Sequence, residues 1–174
     1  MQTKRLFIPT VLLFLLTGCS ESVSPKIQVE SFTYPETMPD DFDFRLSYGT
    51  YEKQLVDTFQ NLVVKDLVLD GTVEATIQLP DEKMEAIYQE MKELQIMDSL
   101  DLEEPTEFEC HTEPPSSSSW TIHMNGETKS FVYGSFCEYP DDVRKLLKLQ
   151  EYIDEAVRGT EEYQQLPDAN GYYE

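Results

Sequence analysis

From Phe42 onward apolar and polar positions take turns: Phe42, Phe44, Leu46 and Tyr48 alternate with Asp43, Arg45 and Ser47. A period of two is the pleat of a half-buried strand, and Gly49 marks its predicted end. Leu62 to Leu69 and Thr72 to Leu79 then flank Asp70-Gly71, which reads as a hairpin with Val73, Ala75, Ile77 and Leu79 on one face. After Pro80-Asp81-Glu82 the period changes. Met84, Ile87, Tyr88, Met91 and Leu94 recur at spacings of three and four, predicting an amphipathic helix. Proline suits its first turn, and the acids suit the positive end of its dipole.

The second half has the same grammar with different residues. Asn125-Gly126 is the favoured type I′ turn, set between Trp120–Met124 and Glu127–Tyr133. A two-residue turn there places Trp120 opposite Phe131 and Ile122 opposite Lys129. Pro114-Pro115 and Ser116 to Ser119 are expected to break that ladder and form a loop. Pro140-Asp141-Asp142 opens another helix, with Val143, Leu146, Leu147, Ile153, Ala156 and Val157 as its buried stripe and Gly159 as its stop. Thr160 can cap one more turn through Tyr163, and residues 168–174 are expected to fray. Hairpins make the sheet antiparallel, and amphipathic helices need a face to cover. The expected fold is therefore α+β: a single antiparallel sheet of about five strands, two amphipathic helices packed on one face, order βββαββα, over residues 41–167.

Ahead of this body lies a different pattern. Lys4 and Arg5 precede an apolar run from Leu6 to Leu16, broken only by Pro9 and Thr10. A spanning helix needs about 20 apolar residues, so this shorter run suits the core of a secretion signal over residues 1–18. Leu16-Thr17-Gly18-Cys19 follows, and it looks like the lipobox of bacterial lipoproteins. The expected cleavage falls between Gly18 and Cys19. The Cys19 thiol would take the lipid, and two or three acyl chains anchor far more firmly than one. Residues 19–40, rich in Ser and Pro, read as a flexible linker holding the body some 25 Å from its anchor. Val29, Phe32 and Tyr34 could instead add an edge strand. The expected location is the extracytoplasmic face of the cell membrane.

Charge sharpens the picture. The 174 residues carry 34 Asp+Glu against 13 Lys+Arg, a formal charge of -21. Such a surface cannot neutralise nucleic-acid phosphates, so no nucleic-acid partner is expected. A protein, peptide or cationic ligand fits the charge better. Only three Cys and two His are present, too few for an ordinary Cys/His zinc cluster. With Cys19 lipidated, Cys110 and Cys137 remain in an oxidising compartment, where a disulfide between them is expected. Closing a loop of about 28 residues would stabilise the fold by roughly 3.6 kcal/mol on a chain-entropy argument. The hairpin register does not place them opposite one another, so the bridge would be a loop staple.

Catalytic signals are weak. Asp57-Thr58 and Lys65-Asp66 sit beside a predicted strand, where turn capping and surface pairing explain them. His111 and His123 are isolated, and no G-x-S-x-G occurs. Asp40-Asp41-Phe42-Asp43 and Asp98 to Glu109 offer oxygen ligands without EF-hand spacing, so a solvated acidic face is the simpler reading. No catalytic residue, cofactor or dedicated metal site is assigned. Tyr172-Tyr173 is the aromatic pair that core packing does not readily absorb.

Asp57-Thr58-Phe59, Lys65-Asp66, Ile87-Tyr88-Gln89-Glu90-Met91 and Glu161-Glu162-Tyr163 with Leu166-Pro167 and Gly171 together resemble uncharacterised small lipoproteins of Bacillus-type bacteria, over roughly residues 45–174. The Cys110/Cys137 pair and the Ser run depart from that pattern. The resemblance implies an acylated Cys followed by a small α+β domain, and it implies no activity. Pattern, charge and resemblance together lead to one expectation: a lipid-anchored, acidic extracytoplasmic module that binds without catalysis. The alternatives are an envelope hydrolase with an acidic site and a calcium-binding surface protein.

Overall fold

Alternation along Asp43–Thr50 does make a strand, β1, with Phe44, Leu46 and Tyr48 buried on one face. The structure is a computed structural model, and it describes residues 31–104 and 113–173. Among the described residues β1 is followed by β2 (Gln54–Asp57), β3 (Leu62–Asp66), β4 (Thr72–Thr76), α1 (Asp81–Glu93), β5 (Ser116–Met124), β6 (Glu127–Gly134), α2 (Asp141–Arg158) and α3 (Glu161–Gln164). The strands form one six-stranded antiparallel sheet in the order β4-β3-β2-β1-β5-β6. The fold is α+β on a single sheet. The expectation of about five strands missed β2, and the order is ββββαββαα once α3 is counted.

Both long helices cover the same face of the sheet. Phe44, Leu46 and Tyr48 of β1 and Trp120, Ile122 and Met124 of β5 form one core with Ile87, Tyr88 and Met91 of α1 and with Val143, Leu146, Leu149, Ile153 and Val157 of α2. Leu149 takes the buried place that the periodicity gave to Leu147, which is only partly buried. Pro80 and Pro140 stand one residue before their helices, in extended backbone, and their carbonyls accept the first helical N–H groups. Gly159 ends α2 with φ −73°, so its left-handed freedom goes unused there. Thr160 does cap the next turn, its Oγ1 accepting from the Tyr163 N–H at 3.3 Å.

The β5–β6 register is the one that the Asn-Gly turn dictates: Trp120 faces Phe131 and Ile122 faces Lys129. That leaves a lysine on the covered face. Its Nζ donates to the carbonyls of Ile96 and Asp98, just beyond the end of α1, and burial lowers its pKa. Ser116 to Ser119, expected as a loop, are the first half of β5. They pair with β1 on one side, and Ser117 to Ser119 pair with Gly134 to Val132 of β6 on the other. Ser is a poor strand former, but a central position satisfies its backbone from both neighbours, and tertiary pairing overrides propensity.

Two segments expected to be loose are docked. From Ser31 the chain belongs to the same compact unit as the sheet and helices. Phe32 and Tyr34 meet edge to face at 4.8 Å and pack against the core, the Phe32 N–H donates to Asp98, and the Tyr88 hydroxyl donates to the Pro35 carbonyl at 2.7 Å. From Ser31 the flexible-linker reading of 19–40 gives way to a docked segment, because two partly buried aromatic rings pack against the core there. They do so without forming an edge strand. The tail does not fray after Pro167. Asn170 forms a parallel bridge with Val68, exchanging hydrogen bonds with Leu67 and Leu69, and the Tyr173 hydroxyl donates to Asp66 at 2.6 Å.

Candidate functional site

Antiparallel order brings the end of β1, the start of β2, the end of β3 and the start of β5 to one end of the sheet. There α2 finishes, α3 follows, and the docked tail crosses. These segments enclose an open cleft of about 720 Å³, with Lys65, Asp66, Arg158, Tyr163, Asp168 and Tyr173 on its walls.

Arg158 on the wall is held from behind by a hydrogen-bonded chain. The buried Tyr48 hydroxyl donates to Asp154 Oδ1 at 2.7 Å, and Asp154 Oδ2 holds Arg158 Nε at 2.7 Å. Burial first, and then the Asp154 carboxylate, push the Tyr48 phenol above its ordinary range, so it stays a donor. Burial also raises the Tyr163 phenol, against a lowering pull from Arg158. Lys65 Nζ lies 5.0 Å from the centre of the Tyr163 ring, a cation–π contact.

The outer wall is built by the tail. Tyr173 is held by two partners: its hydroxyl donates to Asp66 Oδ2 and accepts from Lys53 Nζ at 2.9 Å. Asp66 Oδ1 accepts the Val68 N–H at 2.9 Å, and Val68 itself has φ 63°. A β-branched residue in that region is strained by about 1–3 kcal/mol and persists only where its surroundings fix it. Here the Asp66 side chain and the Asn170 bridge do so.

Asp57-Thr58 and Lys65-Asp66 are separated along β3. Asp57 pairs across from Leu62 at the start of β3, whereas Lys65 and Asp66 are at its end. Thr58 closes the opposite end of the sheet, accepting from the Phe44 N–H and donating to Asp43. Asp57 is buried beside Arg45, 3.7 Å away. Of the acids before β1, Asp41 is committed to the Asn125-Gly126 turn. It accepts both backbone N–H groups at 2.8 and 2.7 Å, with His123 Nε2 at 3.3 Å. Among the described residues no three His, Cys, Asp or Glu side chains are placed to hold a metal ion.

Gly18, Cys19, Cys110 and His111 lie outside the described residues. Cys137 follows β6, and its N–H donates to the Glu104 carboxylate at 2.7 Å. Among the described residues no helix is long and apolar enough to cross a membrane. Arg158, Tyr163, Asp168 and Tyr173 did not stand out as one site in the sequence, since they converge only through the fold. The unabsorbed Tyr172-Tyr173 pair was the single hint. No protein-family model and no curated protein matches the chain.

Proposed function

We propose that this chain is a lipid-anchored, acidic extracytoplasmic binding module, acylated at Cys19 after cleavage behind Gly18. The observation that carries the binding reading is the open cleft, with Lys65, Asp66, Arg158, Tyr163, Asp168 and Tyr173 on its walls. The Leu16-Thr17-Gly18-Cys19 tetrapeptide behind an apolar run and the resemblance to small Bacillus-type lipoproteins support the membrane address.

The Cys110–Cys137 staple belongs to the same proposal. Glu104, the last described residue before the segment that holds Cys110, binds the Cys137 N–H, and Ser135 Oγ donates to the Ser116 carbonyl at 3.2 Å on the other side. Glu104 and Ser116, described residues on either side of that segment, thus both touch the stretch that follows β6. Metabolic labelling with palmitate tests the anchor. The wild-type chain is expected to be labelled, shortened, in the membrane fraction and open to protease on intact cells, and Cys19→Ala to remain an unlabelled precursor. A full-length, unlabelled wild-type product in the cytosol would overturn the proposal. Non-reducing peptide mapping tests the staple, and Cys110 and Cys137 recovered separately as alkylated thiols would remove it.

A further inference from the structure

In a chain this acidic, cations on the wall of this cleft are conspicuous, and Asp66 and Asp154 beside them are already engaged. Asp66 uses one oxygen on the Val68 N–H and the other on Tyr173. Asp154 is divided between Tyr48 and Arg158. Lys65, by contrast, rests on the face of Tyr163 and has no carboxylate partner among the described residues. Arg158 is paired with Asp154 through Nε and hydrogen-bonds the Tyr163 hydroxyl, which still leaves part of its five-hydrogen guanidinium fork. Tyr163 touches both cations, its ring against Lys65 and its hydroxyl against Arg158. Both positive groups are therefore held by neighbours while keeping donors available.

We infer that this cleft binds the anionic oxygens of a small ligand, a carboxylate or a phosphate, between Lys65 and Arg158. The inference rests on the proposed binding function and names its ligand chemistry. A guanidinium fixed at one edge presents a planar fork that matches a carboxylate or a phosphate, and a nearby ammonium adds a point charge. The overall charge of -21 would repel an anion at long range. That repulsion is screened over about 8 Å at physiological salt, so local donors decide binding inside the cleft. Gln54 and Gln164 add neutral amide groups to the same lining. Asp168, exposed on the tail wall, supplies a negative pole that suits a ligand carrying an amine as well.

The test is a titration of the full-length processed protein in detergent micelles, followed by amide chemical shifts. The probes are acetyl-alanyl-alanine, the same peptide as its C-terminal amide, and inorganic phosphate. At least one of the two anions is expected to shift amides around Lys65, Arg158 and Tyr163 in a saturable way, with the amide peptide silent. Lys65→Gln should weaken that binding tenfold or more, and Arg158→Lys less than Arg158→Gln. Lys83→Gln, in the first turn of α1 and outside the cleft lining, should leave it unchanged. Preference for the peptide over phosphate would identify a carboxylate ligand, and the reverse a phosphate ligand. Arg158→Gln also breaks the Asp154 pair, so Lys65→Gln carries the test if that variant melts early. Equal binding of peptide acid and peptide amide, no saturable shift with either anion, or undiminished binding in Lys65→Gln would overturn the inference. Each of those outcomes leaves the palmitate-labelling result at Cys19 untouched, so the two readings fail separately.

Discussion

Removing one oxygen atom, in Tyr48→Phe, isolates the contact that ties the sheet to α2 and, through Asp154, fixes Arg158 at the cleft. The ring stays and its packing with it, so only the donor to Asp154 at 2.7 Å is lost. A hydrogen bond to a charged group contributes about 1.5–3 kcal/mol, and an orphaned buried carboxylate oxygen would place the loss at the top of that range. Asp154 is not fully buried: its side chain is 19% exposed and still holds Arg158. Water can replace the lost donor in part, so the expected loss is about 1–2 kcal/mol. With a urea slope of about 1–3 kcal/mol per molar, the unfolding midpoint should fall by roughly 0.3–2 M with the slope unchanged.

The pH dependence gives a second, independent readout. Burial and then Asp154 raise the folded-state pKa of Tyr48 above that of the unfolded chain. A group shifted this way gives stability that is fully present below the unfolded pKa of about 10 and is lost as pH rises beyond it. Wild type should therefore lose stability more steeply above pH 10 than Tyr48→Phe. An unchanged urea midpoint at neutral pH together with identical alkaline limbs would refute the reasoning, because it would mean that the Tyr48–Asp154 contact contributes nothing.

Other substitutions test other joints. Gly171 has φ +85°, and a Cβ there would lie 2.5 Å from Leu69 Cδ1; Gly171→Ala should cost about 1–3 kcal/mol and undock the tail, seen as faster trimming by carboxypeptidase, whereas wild-type trimming rates would argue that the tail is not held. Leu149 is 3% exposed and Leu147 only partly buried, so Leu149→Ala should cost about 2–5 kcal/mol by denaturation and Leu147→Ala distinctly less; equal losses would contradict the helix rotation described here. Asp41 has its pKa lowered, mostly by the Gly126 N–H and then by that of Asn125. Its contribution is present above about pH 4 and is lost as pH falls through the lowered pKa, so Asp41→Asn should flatten the acid limb of the stability curve, and an acid limb matching wild type would exclude the contact as a source of stability.

Local rules wrote much of this fold into the sequence. Alternation alone marks β1, the Asn-Gly turn alone sets every facing pair of β5 and β6 from Met124–Glu127 to Trp120–Phe131, and Pro followed by two acids marks where both long helices begin. These signals are legible because each depends on residues within a few positions of one another. β2 escaped for the converse reason. It is four residues long, and the turn before it places Tyr51 and Glu52 at positive φ without the Gly or Asn that normally announces such a turn. Besides its own backbone bonds, tertiary contacts hold that turn: the Glu52 carboxylate accepts from Ser117 and Ser119 of β5, more than 60 residues away.

The same distance in sequence hid the Ser116–Ser119 half of β5, the docking of Phe32 and Tyr34, and the cleft itself. Thr50, Lys65, Arg158 and Tyr173 belong to β1, β3, the end of α2 and the tail, and no spacing along the chain relates them. Composition averaged the protein to a strongly negative charge, which describes its surface at long range. Whether a given cation is neutralised is settled within a few ångströms, by which acids the fold has already committed to other donors, and that is a property of the packed chain alone.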